Sequence, residues 1–121
     1  MKRLFGYGVV AFMTIMLIGL TTNLTYAGET FLSGPSDSSG HGHNEEGIKH
    51  AGKGHWDIAE GHFREAVAAD KNLAEAHYNL ALALHNQKKH GDAMSHFKHA
   101  LDLAPKNPKI AGSSLLQNHL K

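Results

Sequence analysis

The sequence predicts an all-α fold of stacked helical hairpins, closed at its C-terminal end by a capping helix. Three observations predict it. Residues 74–107 carry two apolar stripes at helical spacing: Leu80, Ala81 and Leu84, then Ala93, Phe97, Ala100 and Leu101. Residues at such intervals share one side of an α-helix, and two such helices across a short polar turn make an antiparallel αα-hairpin. The second stripe has an earlier copy in Ala59, Phe63, Ala66 and Val67, each 34 residues upstream. A period of this length marks a stacked-repeat architecture. Lastly, Pro105 follows Leu103 as a stop, and Asn107-Pro108 supplies a cap followed by proline at the first helical position.

Taken in order, residues 1–27 have the form of a signal peptide or an N-terminal membrane anchor. Lys2 and Arg3 precede an uncharged, mostly apolar run from 4 to 20, and Thr25-Tyr26-Ala27 offers small residues at the −3 and −1 positions of a cut before Gly28. The run is at the short limit for a membrane span. Either form places the remainder outside the inner membrane, periplasmic or secreted. Residues 28–43 are rich in Gly and Ser with little apolar content and are expected to be a flexible linker.

The helical domain is expected over 44–121. Its first helix, 44–53, carries Ile48 and Ala51 but also Gly47 and Gly52, each costing about 1 kcal/mol relative to Ala. Gly54-His55 is the turn, and 56–69 is a second helix with Ala59, Phe63, Ala66 and Val67 inward. Asn72 is placed as cap of the third helix, 73–87, with Glu75 as its capping-box partner. Residues 88–91 turn, 92–103 form the fourth helix, and a single helix over 108–119 closes the stack with Ile110, Ala111, Leu115 and Leu116 apolar.

Ala93-x3-Phe97-x2-Ala100-Leu101-x-Leu103-x-Pro105, preceded by Tyr78-Asn79-Leu80-Ala81, resembles a tetratricopeptide repeat (TPR). Trp56-x2-Ala59-x3-Phe63-x2-Ala66 resembles the second half of another. The resemblance spans about residues 43–107 and amounts to about two repeats, the first degenerate: Glu46 stands where repeat two has Leu80, and His43 and His77 stand where the family usually has Trp. Three stacked repeats are the usual minimum for stability, so self-association or a partner is expected to add burial.

The resemblance implies a protein–protein interaction module or scaffold that binds another protein, as a peptide or helix, through a concave face lined by the first helix of each hairpin. Carried over by position, that face presents Tyr78, Asn79, Leu82, His85 and Asn86. The closing helix adds Gly112, Ser113, Leu116 and His119, and the degenerate repeat adds Asn44, Glu45 and Ile48. Asn79 matches a slot where the family often has Asn, whose amide both donates and accepts. Tyr78 stands where a carboxylate-clamp lysine would be needed, so no such clamp is expected.

Composition narrows the rest. A formal net charge of +1 gives no footprint for nucleic acid, and the absence of cysteine excludes disulfides and thiolate metal sites. No nucleophile–base motif, H-E-x-x-H, phosphate loop or dinucleotide fingerprint is present, so neither an enzyme nor a cofactor is expected. The eleven histidines are the unusual feature. His43 and His77, His62 and His96, and His85 and His119 are each 34 apart. Equivalent repeat positions are about 10 Å apart, too far for two imidazoles to share one ion. His96 and His99 are the pair best spaced for a metal, with Asp92 or Asp102 beside them, although a solvated outer face is the preferred reading. The alternative function is therefore a His-rich metal-binding or metal-buffering periplasmic protein. So many imidazoles also predict sensitivity to pH.

Overall fold

A computed structural model describes residues 29–121 together with the backbone of residues 25 and 26; apart from those two, the expected signal segment, residues 1–27, lies outside the described residues. A two-residue strand β1 (Thr25–Tyr26) pairs antiparallel with β2 (Glu29–Thr30), Thr25 opposite Thr30. Six helices follow: α1 (His41–Gly52), α2 (Trp56–Ala69), α3 (Ala74–Asn86), α4 (His90–Leu103), α5 (Pro108–Ala111) and α6 (Ser114–His119). Helices α1 with α2 and α3 with α4 form two hairpins, and α2 packs on α3 to stack them. Among the described residues, no helix is long and apolar enough to cross a membrane.

The core follows the two stripes. Ala59, Phe63 and Ala66 from α2 and Ala93, Phe97 and Ala100 from α4 are fully buried. They enclose α3, which is buried at ten of its thirteen positions. Glu60 joins the hairpins at their edge. It accepts from Gln87 Nε2 at 2.7 Å and pairs with Lys89 Nζ and Arg64 Nη2, each at 2.9 Å. Burial pushes the Glu60 carboxyl up, yet the bonds from Lys89, Gln87 and Arg64 outweigh it and hold the group below its usual range.

Four local expectations change. Helix α1 is longer than expected and starts at His41. Gly47 is no weak point in it: a Cβ there would stand 2.4 Å from Cε1 of Phe63, so glycine lets the buried ring approach the helix. Asn72 does not cap α3; its N–H donates to Asp70 Oδ1 at 3.0 Å, and Leu73 occupies the cap position without a side-chain bond. The closing helix is broken in two. Ser113 leaves the helix with ψ 121° and its hydroxyl caps α6 by accepting from Leu116 N, while Asn107 caps α5 as expected.

The largest difference lies in residues 29–43, the described part of the expected linker 28–43. A Gly/Ser-rich stretch was expected to be a linker because it lacks apolar surface, but its one apolar pair, Phe31-Leu32, is packed down. Leu32 is 6% exposed and belongs to the main core, and Phe31 packs against that core.

Candidate functional site

The docked pair sits against α2 through Phe31 and against α1 and α3 through Leu32. The Phe31 ring stacks on Phe63 and Trp56, with centroids 5.9 Å and 6.3 Å away. Beside it, Asn79 grips the backbone of Leu32 in both directions. Its Oδ1 accepts from Leu32 N at 2.8 Å and its Nδ2 donates to Leu32 O at 2.7 Å. Asn44 extends the grip by donating from Nδ2 to Leu32 O at 2.8 Å and to Ser33 O at 2.9 Å. Nδ2 of Asn79 also donates to Asn44 Oδ1 at 2.8 Å, which fixes the orientation of both amides. Both asparagines are fully buried. A buried amide without partners would be costly, so the pair calls for a backbone to bond.

The side chain of Glu29 makes the next contact. Its Oε2 accepts from Tyr78 OH at 2.8 Å, and its Oε1 accepts from Ser114 Oγ at 2.9 Å and Leu115 N at 3.0 Å. Burial pushes the Glu29 carboxyl up, but the donors at Leu115, Tyr78, Ser114 and Ser113 together hold it below its ordinary value. Burial likewise raises the pKa of Tyr78 well above that of a free phenol, so its hydroxyl stays a donor. Ser33 Oγ donates to Glu45.

Of the residues expected on the concave face, Tyr78, Asn79, Asn44 and Glu45 thus bond the docked segment directly. Leu82 and Leu116 are buried in the same core as Leu32. Ile48 packs at its margin, and Gly112 lines a cleft shared with Glu29 and Tyr78. Ser113 caps α6. Asn86 bonds within its own helix, to Leu82 O at 2.9 Å. His85 and His119 face each other instead, with ring centroids 5.1 Å apart. This overturns the expectation that a 34-residue offset keeps two imidazoles about 10 Å apart. Packed helix axes are typically about 8–10 Å apart, and long side chains leaning toward one another can close such a gap.

His77, His96 and His99 form a second cluster beside a cleft of about 350 Å³ that Arg64, Val67 and Leu80 also line. His77 Nε2 lies 3.0 Å from Lys71 O, and His77 Nδ1 lies 3.2 Å from His96 Nδ1. A carbonyl only accepts, so Nε2 of a neutral His77 holds the proton, and His96 Nδ1–H donates to the free Nδ1 of His77. Burial pushes His96 down to about 4, reinforced by His77, Arg64 and His99 and opposed by Asp92. Burial also lowers His77, and the bond to Lys71 partly offsets it. His96 therefore bonds His77, a partner that its spacing from His99 did not suggest.

A stack of αα-hairpins whose inner helix presents buried amides to an extended chain is a repeat-type binding fold. A family model described as tetratricopeptide repeat matches residues 44–108, more than half of the chain, and the protein belongs to that family. No curated protein and no solved structure gives a significant match. The family is typically a non-catalytic scaffold that binds other proteins.

Proposed function

We propose that this chain is an exported interaction module whose groove grips a short extended segment of the form acidic–x–aromatic–Leu, and that residues 29–32 hold the groove as a built-in occupant. The two-asparagine grip on both backbone groups of Leu32 carries this reading. Backbone bonds supply affinity for any extended chain, while side-chain subsites set the sequence. Tyr78 with Ser114 and Leu115 N–H selects the carboxylate, Trp56 with Phe63 the aromatic ring, and the core beside Leu82 the leucine. A partner protein carrying such a segment in the cell envelope is the occupant in trans. A signal cut after Ala27 would leave Glu29 one residue from the new N-terminus.

The test uses the full chain. Phe31→Ser with Leu32→Ser should release the docked segment, and a synthetic peptide spanning residues 28–34 should then bind, read by Trp56 fluorescence. Adding Asn79→Ala should abolish that binding. A released chain that ignores the peptide, or binding indifferent to Asn79→Ala, overturns the reading.

A further inference from the structure

The second hairpin ends in an arrangement that the groove does not use. His85 lies in the last turn of α3, His90 opens α4 and His119 ends α6. One ring nitrogen from each lies within 4.8 Å of one from both others. Ring centroids are 4.9 Å apart for His85 and His90, 5.1 Å for His85 and His119, and 6.0 Å for His90 and His119. We propose that His85, His90 and His119 bind one borderline divalent cation of the Zn²⁺ class.

Two further observations point to a ligand. The Nδ1 atom of His85 is buried without a hydrogen-bond partner. His119 Nδ1 lies 2.8 Å from Leu115 O. Because a carbonyl only accepts, Nδ1 carries the proton and Nε2 of the neutral ring keeps its lone pair free. Metal-bound histidines are commonly oriented in this way, with the second nitrogen donating to a backbone carbonyl. Three imidazoles with no thiolate suit zinc or its neighbours and leave a fourth position open. Nitrogens on a tetrahedral zinc lie roughly 3.4 Å apart, so closure needs only small rotamer shifts, and His90 is exposed and free to make them. The trio does not recur in the first hairpin, where the positions 34 residues before His85 and His90 hold Ala51 and Trp56.

An ion here would tie α6 to the hairpin. The same α6 presents Ser114 and Leu115 N–H to Glu29, so the metal would brace one wall of the groove.

Titration of the full chain with zinc chloride alone should show one ion bound per chain, with amide exchange over residues 114–119 slowing as the ion binds. His90→Gln and His119→Gln should each weaken binding by roughly tenfold or more, and His99→Gln should leave it unchanged. His90 is exposed, so its variant tests the site without disturbing the core. Binding that survives both His90→Gln and His119→Gln, binding lost equally with His99→Gln, or no slowing over 114–119 would overturn the site.

Discussion

The two hairpins share one plan and are completed by different means. Helix α3 buries ten residues, but α1, its counterpart in the first hairpin, buries only Asn44, Gly47 and Ala51. The second hairpin is completed from the C-terminal side by Ile110 and Leu116, both fully buried. The first is completed from the N-terminal side by Phe31, whose ring stacks on Phe63 and Trp56. A degenerate repeat can thus be stable if a segment outside it supplies the missing apolar surface. If the supplying segment lies in a partner-binding groove, as proposed, stability and occupancy are one question for the first hairpin and two for the second.

The largest test of this difference removes the borrowed ring. Phe31→Ala should cost about 2 kcal/mol, because a half-buried aromatic and its stacking partners lose contact. Hydrogen exchange should speed up in α1 and α2 more than in α3 and α4; a uniform change would dissolve the comparison. Next, Gly47→Ala should cost a similar or slightly smaller amount, about 1–2 kcal/mol, by forcing Phe63 to move. The matching position in the second hairpin already holds Ala81, where the reverse change, Ala81→Gly, should cost about 1 kcal/mol through helix propensity. Denaturant unfolding of both variants separates clash from propensity.

The third test is a pH series on the second hairpin. His96 has a folded value of about 4 against an ordinary 6.5. The unfolded chain therefore takes up the proton first on acidification. The stabilisation is present above pH 6.5 and is lost as pH falls toward 4, about 1–2 kcal/mol in all for a partly exposed group. His96→Gln should flatten that limb of the stability curve. The smallest effect concerns the turns. Gly54 with φ 76° and Lys88 with φ 66° occupy equivalent left-handed positions. Lys88→Gly should raise stability by about 0.5–1 kcal/mol and Gly54→Ala should lower it by about 1 kcal/mol, read as opposite shifts in melting temperature.

Periodicity made the helices legible. The family resemblance, carried over by position, put Tyr78, Asn79, Asn44 and Glu45 on one face, and these four bond residues 29–33. The occupant was hidden because composition averages over a window: Gly and Ser around Phe31-Leu32 masked two residues that alone decide whether the stretch packs. Glu29 was similarly invisible, since its partners Tyr78 and Leu115 lie 49 and 86 positions away. The histidine trio was missed because backbone spacing was taken for donor spacing. His90 was also read as part of a turn, while the left-handed Lys88 brings it back beside His85. A Ser hydroxyl able to cap, directly after Gly112, was the available signal that the closing helix would break.

The docked segment is tethered to the helix it lies against by residues 34–40 alone. So short a tether gives an effective local concentration on the order of millimolar. An outside peptide must compete with that reservoir, so an intrinsic affinity in the micromolar range would be felt from solution as roughly a thousandfold weaker. Under the proposed function the groove is then a threshold device, one that would ignore dilute or loosely matching chains and yield to a partner that is abundant, multivalent or better matched at the acidic and aromatic subsites. Cleavage within residues 34–40 would remove the threshold without altering a single groove residue.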